Sequence, residues 1–167
     1  MHTLGEVRSA RAAGELDEAL ARLMCGDPAP GRQRVTQLLD GFQRTFGGGE
    51  DTPVTLCSAP GRTEICGNHT DHNNGKVLCA SISVDTLACV TKTDDGVIVV
   101  DSVGYPPVYV NVADLTRIKE EEGDSTAIIK GICRYYLDHG WNICGFNATT
   151  HCHVFTGEGD SSPASSE

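Results

Sequence analysis

Arg62, Glu64, Asn68, His69, Asp71 and His72 fall within eleven consecutive positions of a 167-residue chain. Their run, Ala59-Pro-Gly-Arg-Thr-Glu-Ile-Cys-Gly-Asn-His-Thr-Asp-His-Asn-Asn-Gly-Lys-Val-Leu78, is bracketed by Gly61, Gly67 and Gly75. Carboxylate, amide and imidazole groups exchange hydrogen bonds with hydroxyls, so this mixture suits a sugar or another polyol. An arginine among them suits a phosphate, because its planar fork pairs two oxygens at once. The bland alternative is a solvated polar turn. Against it stand Ile65, Val77 and Leu78, whose apolar side chains predict that the segment is anchored on the core.

A second run, Thr156-Gly-Glu-Gly-Asp-Ser-Ser-Pro-Ala-Ser-Ser166, combines glycines with adjacent hydroxyls. Such a run can fold into a nest of backbone amides that holds phosphate at a helix N-terminus. It lacks the Lys-Ser/Thr pair of a P-loop, and taken alone a Gly/Ser-rich end also reads as a tail. Histidines offer a third chemistry. His69, Asp71 and His72 form one candidate ligand group, and His151, Cys152 and His153 another, with the two imidazoles on one face of a strand. Zinc sites usually show Cys/His pairs recurring at defined spacings, which are missing here, so metal is not the favoured reading. No cysteine stands out as a nucleophile, and no C-x-x-C occurs.

These groups need elements to position them. Leu16, Ala19, Leu20 and Leu23 recur at helical spacing, as do Val35, Leu38, Leu39, Phe42 and Phe46. Two prolines and two glycines in Gly26-Asp-Pro-Ala-Pro-Gly31 predict a turn between the two helices, and Gly47-Gly-Gly49 stops the second. From Val54 the pattern changes to strands, at 54–59, 87–93 and 97–103. The last two flank Asp94-Asp95-Gly96, which predicts a hairpin. Residues 108–112 alternate and should join the same sheet. Residues 119–124, rich in glutamate, read as a solvated loop. Ser125 can cap a helix through about Leu137, with Ile128, Ile129, Ile132, Cys133 and Tyr136 on one side and Gly140 beyond its end. Residues 146–155 return to strand. Helices, a sheet, a helix and a strand make an α+β chain.

Charge narrows the partners. Residues 1–49 carry six basic and six acidic side chains, so the whole net charge of -10 lies in residues 50–167. With no basic face to displace counterions, nucleic acid is excluded as a broad partner; one small phosphorylated ligand is not. No run approaches the eighteen or so apolar residues of a membrane span. The N-terminal residues lack the apolar stretch of a secretory leader. The expectation is a cytoplasmic protein whose eight cysteines are reduced and mostly buried, and whose sequons at Asn68 and Asn147 are chance matches.

The first run closely resembles the galactokinase signature, of general form G-R-x-N-[LI]-I-G-E-H-x-D-Y, and most of all its variant G-R-T-E-I-x-G-N-H-T-D-H. The second resembles the Gly-Ser loop T-G-x-G-L-S-S-S-A-A of the GHMP sugar and metabolite kinases, to which galactokinases belong. The resemblance covers residues 50–167 as the N-terminal GHMP kinase domain (ribosomal protein S5 domain 2-like), incomplete at its C-terminus, with residues 1–49 as a helical N-terminal segment. It implies ATP-dependent phosphorylation of galactose or a related hexose at the anomeric hydroxyl, by a monomer using ATP and Mg²⁺. By the same resemblance Asn68, His69 and Asp71 hold the sugar hydroxyls and Arg62 is catalytic, beside the transferring phosphate. Gly157, Gly159, Ser161 and Ser162 wrap the ATP phosphates, with Ser162 helping to hold Mg²⁺.

This chain departs from the pattern at several positions. Asn68 replaces the usual glutamate, which removes a charge but leaves an acceptor and adds donors. His72 replaces tyrosine, and Cys66 stands at an aliphatic or glycine position. Asp160 adds negative charge to the phosphate loop, Pro163 removes an amide from it, and Ser165 replaces a small apolar residue. Galactokinases are more than twice this length; their catalytic aspartate and C-terminal domain lie beyond the loop, and Glu167 comes before either. The resemblance therefore leaves a second expectation, a truncated homologue that binds sugar without turnover.

Overall fold

A computed structural model of the chain describes residues 2–67 and 74–153. Its elements are β1 (His2–Thr3), α1 (Leu4–Ala13), α2 (Asp17–Leu23), α3 (Pro28–Phe46), β2 (Pro53–Cys66), β3 (Leu78–Thr93), β4 (Val97–Ser102), β5 (Val108–Asn111), α4 (Ser125–Asp138) and β6 (Gly145–Cys152). The strands form one six-stranded mixed sheet in the order β1-β2-β3-β6-β4-β5, and only β4 and β6 run parallel.

The three N-terminal helices cover one face of the sheet. α1 starts with a capping box, in which Thr3 and Glu6 satisfy each other's backbone amides. Asp27 caps α3 by accepting from the Ala29 amide at 2.9 Å, and Pro28 occupies the first helical position, where a missing N–H costs nothing. The expected turn over residues 26–31 is therefore shorter than predicted. Pro30 and Gly31 lie in the first turn of α3, and Gly31 lets α2 approach so closely that a methyl there would meet Leu20 at 3.0 Å. Leu4, Leu20, Val35, Leu38, Leu39 and Phe42 then pack with Val54, Leu87 and Cys89 of the sheet into one core.

α4 covers the other face. Phe146 and Thr149 point to opposite sides of β6, and Phe146 joins Ile98, Val110, Ile129 and Cys133 in a second, smaller cluster. Asp124, not Ser125, is the N-cap of α4, and it makes no side-chain cap bond. The apolar side expected for this helix is mostly uncovered: Ile128, Ile132 and Tyr136 are exposed, Ile129 is half-buried and Cys133 alone is buried.

The expected hairpin is absent. β3 and β4 are joined by Asp94-Asp95-Gly96 but do not pair; β6 lies between them, matching Phe146 to Lys92 on one side and to Ile98 on the other. Gly145 stands where the two strands part. A methyl there would meet Thr93 Oγ1 at 2.5 Å and the Val97 backbone at 2.7 Å, so only glycine fits the base of the wedge. Two further expectations are corrected. Six of the eight cysteines are exposed, with only Cys89 and Cys133 buried. Ile65, Val77 and Leu78 are exposed rather than set against the core. No helix among the described residues is long and apolar enough to cross a membrane.

Candidate functional site

The first polar run is a strand for half its length. β2 continues through Pro60 and Gly61 as far as Cys66, taking up register shifts between Pro60 and Arg62 and again between Glu64 and Cys66. Proline is tolerated because β1 pairs only with Pro53 and Val54, leaving the rest of β2 an edge. β6 stops at Cys152 opposite Thr86, so residues 60–66 and 78–85 run on together as a two-stranded ribbon beyond the sheet. Arg62 lies on this ribbon opposite Ser81, exposed, and makes no ion pair with any described residue. Glu64 lies opposite Cys79, with its Oε1 buried and no hydrogen-bond partner among the described residues.

Gly67 closes the ribbon. Its φ is +108°, and a Cβ there would come within 2.6 Å of the Lys76 carbonyl oxygen and 2.8 Å of Val77 Cα. The chain thus leaves the ribbon at Gly67 and is back beside it at Lys76, and no side chain fits between them. Asn68, His69, Asp71 and His72 lie outside the described residues, as does the run from Thr156 to Ser166 that holds Gly157, Gly159, Ser161 and Ser162. Their neighbours are well placed to compare. The His153 amide donates to the Asp85 carbonyl at 3.0 Å, Asp85 pairs with Pro60, and Arg62 follows two residues later. Arg62 and the end of β6 are therefore at the same end of the sheet.

A buried ion pair fixes that end. Arg34 of α3 donates to Asp85 Oδ1 at 2.5 Å, and both side chains are almost wholly inaccessible. The second guanidinium nitrogen donates to the carbonyls of Asp85 and His151, each at 3.2 Å, and Ser58 donates to Asp85 Oδ2 at 2.6 Å. The Arg34–Asp85 pair thus ties α3 to β2, β3 and β6 where the ribbon begins. Sequence reasoning missed this pair, although the signals exist. Arg34 stands on the apolar stripe of Gly31, Val35, Leu38 and Phe42, and Asp85 occupies the buried face of β3 with Leu87, Cys89 and Thr91.

Beside the pair, His151 and His153 share one face as expected, with ring centroids 4.9 Å apart at 83°. Both have pKa values below the ordinary 6.5. Burial is the main cause for each; for His151 the neighbouring His153 and then Arg34 follow, and for His153 Arg34 follows. Among the described residues, no three or more His, Cys, Asp or Glu side chains gather as a metal site would require.

Comparison with known proteins gives this geometry a context. Residues 40–92 match the family model described as the galactokinase galactose-binding signature. The chain is 31% identical over 133 residues to the galactokinase of Streptococcus suis, covering 78% of this chain and 33% of that protein. With the Enterococcus faecalis galactokinase it shares 33% identity over 132 residues, again 78% of this chain and 33% of the relative. It spans about a third of the length of the curated relatives it matches. The crystal structure of Lactococcus lactis galactokinase complexed with galactose superposes with a TM-score of 0.63 at 23% identity, over 74% of this chain and 32% of that one. Signature, relatives and fold agree: the chain belongs to the galactokinase family and carries the N-terminal part of its GHMP kinase fold.

Proposed function

We propose that this chain supplies the sugar-side and phosphate-side contacts for ATP-dependent phosphorylation of galactose, or a related hexose, at the anomeric hydroxyl. Phosphoryl transfer asks the protein mainly for positioning and for neutralisation of spreading negative charge. In this reading Asn68, His69 and Asp71 orient the sugar through its hydroxyls. Arg62 faces the transferring phosphate with its fork, and the amides and hydroxyls around Gly157, Gly159, Ser161 and Ser162 hold the nucleotide phosphates. Mg²⁺, whose preference for hard oxygen donors suits the Ser162 hydroxyl, would add charge neutralisation there. Residues 50–167 act as part of the kinase domain, residues 1–49 as its helical preface, and the protein works as a cytoplasmic monomer.

The observation that carries the reading is the exposed Arg62 guanidinium, without an ion pair to any described residue, at the sheet end where β6 also finishes. A cation presented there is available to an anionic ligand. A second reading is sugar binding without turnover, with the exposed apolar side of α4 left uncovered. ADP release with galactose, followed in wild type and Arg62→Ala, tests the first reading; galactose calorimetry in wild type and Asp71→Ala tests the second. Galactose-dependent turnover lost in Arg62→Ala supports transfer. Galactose heat lost in Asp71→Ala without turnover supports binding alone. Neither turnover nor heat would overturn both.

A further inference from the structure

Beyond Val54 the side of β2 away from β3 has no strand partner among the described residues, because β1 ends after pairing with Pro53 and Val54. The bare stretch before Pro60, Thr55-Leu-Cys-Ser-Ala59, spans about 17 Å at the rise of a strand. It carries no charged side chain and no proline, the residues that usually guard an edge against pairing. Alternate residues of an antiparallel ladder direct their N–H and C=O away from the partner, so this edge is a template for a further strand. A groove of about 810 Å³ opens beside its start, between α1 and β2. Val7, Ala10, Ala13 and Leu16 line the helical side, and Val54 and Leu56 the strand side. Two carboxylates, Glu6 and Glu15, stand among the lining residues, with no lysine or arginine. Glu6 already accepts from the Thr3 amide and lies 3.5 Å from His2. Glu15 is exposed and makes no ion pair with any described residue.

We infer that this edge and groove dock an extended basic segment of another protein, which adds to the sheet as a strand antiparallel to β2. β1 already pairs in that sense, and the added strand continues along the same edge. Main-chain bonds to residues 55–59 supply the attachment, as in other cases of strand addition. Apolar side chains on one face of the segment enter the groove, because successive side chains of a strand alternate. A lysine or arginine near its end meets Glu15. A second copy of this chain fits less well, since it brings the same carboxylates and its own net charge of -10 to the edge.

The probe is a labelled, end-capped peptide of about nine residues that alternates valine with threonine between terminal lysines. Fluorescence anisotropy follows its binding to the tag-free 167-residue chain, since residues added ahead of the N-terminus would compete for the edge. Saturable binding is expected, with new hydrogen-exchange protection within residues 55–59. The same peptide methylated at every backbone nitrogen cannot donate to a ladder and should not bind. At physiological salt, Glu15→Lys should weaken binding about fivefold, the upper range for one exposed ion pair. Glu120→Lys, the same charge change at an exposed position outside the groove, should leave it unchanged. Near-ultraviolet circular dichroism verifies that both variants are folded. No saturable binding, equal binding of the methylated peptide, equal affinity of the two charge variants, or protection confined to other elements would each overturn the site. Protection of residues 55–59 that grows with protein concentration in the absence of peptide would assign the edge to a second copy, and would overturn it as well.

Discussion

Arg34 and Asp85, 51 positions apart, meet at 2.5 Å in the interior with side chains 3% and 2% exposed. A charge so deeply buried is tolerable only with its partner, and removing one member strands the other. Arg34→Met should therefore cost about 3–5 kcal/mol, read as a lowered urea midpoint. The double variant Arg34→Met/Asp85→Leu should recover much of that loss, since neither charge is then left alone. Equal destabilisation in the single and double variants would show that the guanidinium's bonds to the Asp85 and His151 carbonyls matter more than the ion pair.

Gly145→Ala should be among the costliest single-methyl additions in the chain. The new methyl would meet Val97 backbone atoms, which cannot rotate away as a side-chain end can. Overpacking of this kind costs about 1–3 kcal/mol. Hydrogen exchange should locate the damage in β4 and β6, and unchanged protection there would refute the wedge role of Gly145.

Stability should fall as the solution is acidified below about pH 6.5, the ordinary histidine value from which His151 and His153 are shifted down. Below that pH the unfolded chain binds protons that the folded chain resists, so stability rises with pH across this range. His151→Gln should flatten the melting temperature against pH between neutrality and mild acid. A slope equal to that of wild type would assign the dependence to other groups.

Cys89, buried between sheet and helices, has its thiol pushed up to about 12, first by burial and then by the neighbouring Cys57. Burial also raises Cys133. In the native protein a maleimide reagent should modify the six exposed cysteines and spare these two, because the thiolate is the reacting form. Mass spectrometry after brief labelling counts them. Modification of Cys89 at the exposed-site rate would contradict its burial.

Arg62→Ala should leave the urea midpoint nearly unchanged, within about 0.5 kcal/mol, because the side chain is exposed and makes no ion pair with the described residues. Under the proposed function the same variant loses transfer. Arg62→Lys should rescue it only in part, since an ammonium keeps the charge but loses the two-pronged geometry.

What could be read in advance divides by the range of the interaction. The apolar stripe of α3 was legible because it repeats every turn, and the alternation of β5 because it repeats every second residue. The wedge of β6 was not. Asp94-Asp95-Gly96 is a good local turn signal, and nothing near it reports that a strand some fifty residues later will part the two arms. Pro60 and Gly61 likewise suggested a loop, whereas register shifts on an unpaired edge carry the strand past them. In the candidate site the residue types announced their chemistry. The buried tie beneath them was hidden because Arg34 and Asp85 gain meaning only once α3 crosses the sheet.

The position of β6 also sets an order of events during synthesis. It is the last strand among the described residues to leave the ribosome, yet it occupies an inner place, with β3 on one flank and β4 on the other. Until it emerges, the nascent chain holds two separate half-sheets, β1-β2-β3 and β4-β5, each with an unsatisfied inner edge. Those edges are the surfaces most open to pairing with another chain. The window of greatest aggregation hazard therefore closes only when Gly145–Cys152 slots home.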